Sequence, residues 1–169
     1  MKFNFKIQQY QTEAVDAVVN VFNGQSFHDR NSYIRDLGKM NPSNYQMAWD
    51  LTQEEIELYD PANDAGYKNE EVELSDEQLL SNIHTLQSKN NIKLSPSLIK
   101  NLGRCSLDIE METGTGKTYV YIKTMFELNK KYGWSKFIVV VPSIAIREGV
   151  KKFFEITSDH FMEHYGKKA

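Results

Sequence analysis

The chain has 169 residues, of which 40% are hydrophobic and 25% charged, an ordinary make-up with room for one modest core. Its longest apolar run, Phe137 to Val141, falls far short of the roughly 20 residues that span a membrane, and the amino terminus carries no secretory apolar stretch. A single cysteine, Cys105, cannot form an internal disulfide, and no Cys/His cluster has metal-ligand spacing, so a cytoplasmic protein without a membrane partner or a structural metal is expected. The net charge of −3 argues against a nucleic-acid partner for the chain as a whole, but the charge is divided. Between Asp50 and Glu77 there are eleven acidic residues against Lys68 alone, whereas Lys117 to Ala169 holds ten Lys/Arg against five Asp/Glu. Only the carboxy-terminal part is suited to phosphates.

Phe3 to Ile7 alternates like a short extended segment, and Ala14, Val15, Val18, Val19 and Phe22 then recur at helical spacing until Gly24. Residues 24 to 74 are punctuated by Gly24, Gly38, Pro42, Pro61 and Gly66 without a sustained period, which predicts an irregular segment with short helices. Ser75 and Gln78 form a capping-box pattern ahead of an apolar stripe, Leu79, Leu80, Ile83 and Leu86, that predicts a helix fading at Lys89. Ser95-Pro96-Ser97 predicts a short helix ending at Gly103. Ser106 to Glu110 reads as a strand, and Lys117 to Tyr132 as a helix closed by Gly133. That helix is apolar over a wide arc, Val120, Tyr121, Ile122, Met125, Phe126 and Leu128, as expected for packing on a sheet. Phe137-Ile138-Val139-Val140-Val141 is a β-branched run, the pattern of a parallel strand buried on both faces, and Pro142 stops it. Ser143 can cap a following helix with Ile146, Val150, Phe153 and Phe154 inside and Glu148 with Lys152 as a surface pair.

Between the first predicted strand and its helix lies Glu112-Thr113-Gly114-Thr115-Gly116-Lys117-Thr118. A polyphosphate needs many N–H donors at close range, and Gly114 and Gly116 let the backbone approach. Lys117 can reach the outer phosphates, the Thr118 hydroxyl can ligate Mg²⁺, and the helix dipole adds to the same field. Thr113 to Tyr119 is therefore the candidate ATP site, with Lys117 and Thr118 as its catalytic pair and Thr118 as the metal ligand. By average residue usage the core pattern arises by chance in only about one chain of this length in several thousand. The first glycine of the general phosphate-loop pattern is replaced by Met111, which disfavours many kinases and transporter ATPases.

The variant Thr-Gly-Thr-Gly-Lys-Thr resembles motif I of superfamily 2 helicases and translocases. Tyr10-Gln11 resembles that family's adenine-reading glutamine motif, whose amide can pair with both the donor and the acceptor edge of the base. Val140 to Ile146 resembles motif Ia, which implies DNA-backbone contacts from Pro142, Ser143 and Arg147. The longer stretches Asp108 to Thr118, Thr124 to Trp134 and Val141 to Val150 resemble the restriction subunit of type III restriction-modification enzymes. This resemblance implies an α/β fold, a partial RecA-like domain with a parallel sheet flanked by helices. It divides the chain into residues 1–23, an acidic insertion at 24–104, and the core at 105–169. It further implies an ATP- and Mg²⁺-dependent DNA translocase that partners a modification methyltransferase and cleaves DNA through a separate nuclease. The family's acidic motif II and nuclease are not found, since Asp159-His160 and Glu163-His164 follow no β-branched strand, so an amino-terminal fragment that binds nucleotide without turnover is expected. A truncated sheet would expose an edge, which predicts self-association or covering by the insertion. Other superfamily 2 motors are disfavoured by the gap of about 100 residues between Gln11 and the loop, and the third reading is a non-catalytic nucleotide-binding interaction module.

Overall fold

A computed structural model of the chain describes residues 5–28, 69–101 and 103–166. Met1–Phe27 together with Val72–Ala169 make one compact unit and His28–Glu71 a second, and the interior of the second lies outside the described residues, as does most of the expected irregular insertion. The described part of the first unit holds α1 (Gln9–Val19), a 3-10 turn (Asn20–Phe22), α2 (Asp76–Lys89), α3 (Lys117–Tyr132) and α4 (Ile144–Tyr165).

Helix α3 is the spine, because its wide apolar arc is buried on two sides. On one side Val120, Leu128 and Tyr132 pack with Val15 and Val19 of α1 and with Trp134. Val15 and Val19 are four residues apart and so share a face of α1. The Tyr132 hydroxyl donates to the carbonyl of Val19 at 2.9 Å, which satisfies a carbonyl at the end of α1, and burial pushes its pKa up to about 12. On the other side Tyr119, Ile122 and Phe126 pack against Phe161 of α4. Phe126 stacks on Phe161 at 4.8 Å and on Tyr165 at 4.9 Å between centroids, and the Tyr165 hydroxyl donates to Glu127 at 2.6 Å. Such stacked pairs add about 1 kcal/mol each beyond the area they bury.

Helix α2 is placed by its start. Ser75 Oγ accepts from the Gln78 N–H at 3.2 Å while Gln78 Oε1 accepts from the Ser75 N–H at 2.8 Å, so the expected capping box is formed. Asn82 then donates to the carbonyls of Val21 and Asn23, tying α2 to the 3-10 turn above a small core of Val21, Leu74 and Leu79. Lys100 and Arg104 pair with Asp76, and the Lys100 hydrogen bond holds the Asp76 carboxyl below its ordinary range.

Among the described residues the expected sheet is not confirmed, and several local readings differ. The predicted strands 106–110 and 137–141 are extended, but among the described residues no strand ladder forms. Ile138 is 92% and Val140 87% exposed, so the run expected to be buried on both faces is open. The partners of α3 within the described residues are accordingly helices rather than a sheet. Residues 96–101 form a bend, irregular backbone and a turn instead of a helix, with Ser95 held by the Gln87 amide through both its N–H and its hydroxyl. Glu148 pairs with its neighbour Arg147 rather than Lys152, and α4 runs 22 residues with Thr157, His160 and Phe161 buried beyond the expected stripe, leaving Ile146 exposed. Both choices are exposed surface pairs worth little, so neither fixes the helix.

His160 makes the α3–α4 contact sensitive to pH. Its Nε2 meets the Tyr119 hydroxyl at 2.9 Å, with Phe5, Phe161 and His164 around the ring. Burial first, and the neighbouring His164 second, push its pKa below the ordinary 6.5. The unfolded state therefore binds the proton more readily than the folded one, so stability present above about pH 6.5 is lost as pH falls through the depressed folded value. Denaturant melts at about pH 7.5 and about pH 5.5 should show the loss in the parent chain and a flatter profile in His160→Asn.

Candidate nucleotide site

The loop 112–116 joins the extended segment before it to α3 by two left-handed glycines, Gly114 at φ 83° and Gly116 at φ 85°. Gly116 is the N-cap of α3 and offers no side chain to the first turn, and that turn carries no acidic residue. The first helical bond runs from the Val120 N–H to the Gly116 carbonyl, which leaves the N–H groups of the opening turn available to an anion. Within the loop, the carbonyl of Glu112 accepts from the Thr115 hydroxyl at 2.7 Å and from the Lys117 ammonium at 3.0 Å. Lys117 is thus folded along the loop onto a neutral acceptor, which a phosphate oxygen would replace with a stronger, charged one. Thr118 lies half-buried in the first turn of α3, and Thr113 and Gly114 are exposed at the tip of the loop.

Gln11 reaches this loop from across a hundred residues of sequence. Its Nε2 donates to the Thr115 carbonyl at 3.0 Å, and a Cβ on Gly116 would stand 2.6 Å from that nitrogen. Tyr10, 47% exposed, sits beside it at the start of α1. The Gln11 side-chain oxygen and its second N–H are not used by the loop, so one amide can hold the loop and still offer an acceptor and a donor. Tyr119 is placed differently from the other loop residues. Its ring stacks on Phe161 at 5.5 Å and its hydroxyl engages His160, so what it has left to offer a ligand is backbone.

The segment after 137–141 shows a cap. Ser143 Oγ accepts from the Ile146 N–H at 3.3 Å, and the Arg147 guanidinium rests on Glu148 at 3.0 Å, with Pro142, Ser143 and Arg147 all exposed at the start of α4. The structure brings Gln11, Thr115, Gly116 and Lys117 together. No bond joins Pro142, Ser143 or Arg147 to them among the described residues. A separate apolar groove of about 250 Å³, lined by Val18, Ile83, Leu86, Leu98 and Leu107 among others, contains none of these side chains.

Two residues escaped the sequence reading. Lys123 is only 8% exposed, and its ammonium donates to Thr12 Oγ1 at 3.0 Å. The available signal was a lone charge inside the apolar arc of α3, three residues from both Val120 and Phe126.

Gly116 therefore meets two demands, a left-handed backbone and a close approach by Gln11. Gly116→Ala should lower stability by about 1–2 kcal/mol from the backbone alone and displace the Gln11 amide, read by denaturant melts and by loss of the Gln11 side-chain amide shift in NMR spectra.

A family model described as "type III restriction enzyme, res subunit" matches residues 4–168. The Res subunit of the Escherichia coli enzyme EcoP15I is 44% identical over 97 residues, covering 57% of this chain and 10% of that protein. The Res subunit of StyLTI from Salmonella typhimurium is 53% identical over 62 residues, 37% of this chain and 6% of the relative. That of EcoPI from Escherichia phage P1 is 41% identical over 99 residues, 57% of this chain and 10% of the relative. The chain thus spans about a tenth or less of the length of the curated relatives it matches. With nearly every residue inside the matched range, the chain belongs to the family of type III restriction enzyme Res subunits.

Proposed function

We propose that the chain is the ATP-binding part of a DNA-dependent ATPase of a type III restriction enzyme. The observation that carries this reading is the loop itself: two left-handed glycines, an uncapped helix start, Lys117 held in the loop and Gln11 bonded to it. In this reading the N–H groups of residues 113–119 cradle the phosphates, Lys117 neutralises their outer oxygens, Thr118 ligates Mg²⁺, and Tyr10 with Gln11 meets the adenine. Residues 1–23 then serve the base, 24–104 form the acidic insertion, and 105–169 supply the phosphate and DNA contacts of a RecA-like core. Phosphoryl transfer needs an acidic metal ligand and an arginine donor as well, so these residues alone bind without turnover. The rest of the machinery in this reading is DNA, a modification methyltransferase partner and a cytoplasmic setting. No helix among the described residues is long and apolar enough to cross a membrane.

Titration with ATP in the presence and absence of Mg²⁺ tests the site. Binding should be tighter with Mg²⁺ and should fall at least about a hundredfold in Lys117→Ala, the loss expected when a charged partner of a phosphate is removed. Retained affinity in that variant, or no binding by the parent chain at millimolar ATP, would sink the reading.

The start of α4 supports a DNA contact through exposed Ser143, Arg147, Lys151 and Lys152. Binding should be weak, indifferent to sequence and steeply salt-dependent, and Arg147→Ala should reduce the slope of log K against log salt by about one. An unchanged slope would remove Arg147 from the contact.

A further inference from the structure

The buried lysine Lys123 stands outside every function assigned above. An ammonium taken out of water is costly unless it is well bonded, and among the described residues its partner is a neutral hydroxyl, Thr12 Oγ1 at 3.0 Å. An apolar side chain would fill the same space without that cost, so what the lysine supplies is direction rather than adhesion. Lys can only donate, which commits the Thr12 hydroxyl to accept from it and to pass its own proton onward. The onward acceptor is the carbonyl of Gln8, 3.4 Å away, at the N-cap of α1. Lys123, Thr12 and Gln8 thus form one polarised chain that ends where α1 begins.

Thr12 is next to Gln11. Helix α1 is therefore fixed at two adjacent residues: Gln11 bonds the loop at Thr115, and Thr12 is bonded by α3 at Lys123. The two ties end at different places on the partner, one on the Thr115 carbonyl in the loop ahead of α3 and the other on Lys123 in the second turn of α3. Two ties to different points of the loop and helix oppose both rotation and sliding of α1 on α3, whereas one tie would leave α1 free to turn about it.

We propose that Lys123 is a positioning residue that sets the register of α1 and so aims the free end of the Gln11 amide at the base of the nucleotide. The proposal rests on the ATP-site reading. An amide held at this register offers an acceptor to the amino group of adenine and a donor to its ring nitrogen, whereas guanine presents an acceptor where adenine presents the amino group. Lys123 therefore governs the preference for adenine over guanine without touching either.

The test titrates ATP and GTP, each with Mg²⁺, into the full chain and into Lys123→Met, Lys123→Arg, Thr12→Val and Gln11→Ala. Lys123→Met should lower the preference for ATP over GTP by about tenfold, the worth of one hydrogen bond to a charged group, and Lys123→Arg should restore most of it. Thr12→Val should reproduce the loss, and adding Lys123→Met to Gln11→Ala should change the preference no further, since the lysine acts through the glutamine. A Lys123→Met chain that melts earlier yet keeps its full preference would overturn the proposal, and so would Thr12→Val with an unchanged preference should the lysine variant fail to fold. A parent chain that binds ATP and GTP equally overturns it while leaving the phosphate site standing, and a parent chain that binds neither overturns the ATP-site reading with it.

Discussion

The approach of Gln11 to Gly116 is the contact on which the site depends. With 2.6 Å between the amide nitrogen and the place a Cβ would occupy, the glycine is required by its neighbour as well as by its own φ of 85°. A left-handed residue at the start of a helix would ordinarily be a weak point, since backbone freedom there is bought with no side chain to cap the turn. Here the weakness is offset from outside. The Gln11 amide takes the Thr115 carbonyl, and the Thr115 hydroxyl and Lys117 ammonium converge on the Glu112 carbonyl. The loop is therefore held open-handed: the Thr115 carbonyl is occupied by Gln11 and the Glu112 carbonyl by Thr115 and Lys117, and the N–H groups of the opening turn are left for a ligand.

What the loop does is carried into the fold by α3. Thr118 belongs to the candidate site and Tyr119, the next residue, belongs to the aromatic core shared with α4. The first turn of α3 is therefore one residue of backbone away from the contacts with His160 and Phe161. The opposite face carries Val120 and Lys123 against α1. Because interiors packed with rings and branched side chains shift between discrete arrangements rather than deforming smoothly, a helix with partners on both sides couples them.

Where the sequence could be read, the signal was local. The capping box of Ser75 and Gln78 and the closing Gly133 each involve residues within a few positions of one another, and each forms as its pattern predicts. Gln11 was legible as a candidate but not as a partner of Thr115, because nothing in a periodicity encodes a contact across a hundred residues. Lys123 was illegible for the same reason: its buried partner is Thr12 of α1, while its own helix supplies only an interruption in an apolar arc. Tyr119 was drawn into the site by adjacency, although the buried pair it makes with His160 depends on a helix that begins 25 positions later, at Ile144.

The two extended segments show the limit of pattern most clearly. A β-branched run describes the surroundings a strand would suit, with a neighbour on each edge and a layer on each face. Those surroundings are properties of a complete sheet, and among the described residues Ile138 and Val140 have none of them. The ties the described residues make at the candidate site are of another kind. Its loop is fixed by Gln11 from α1, its helix by valines on one face and stacked aromatic rings on the other, and its lysine by a carbonyl five residues back. Every one of those ties is a helix or loop contact made within residues 5–28 and 103–166.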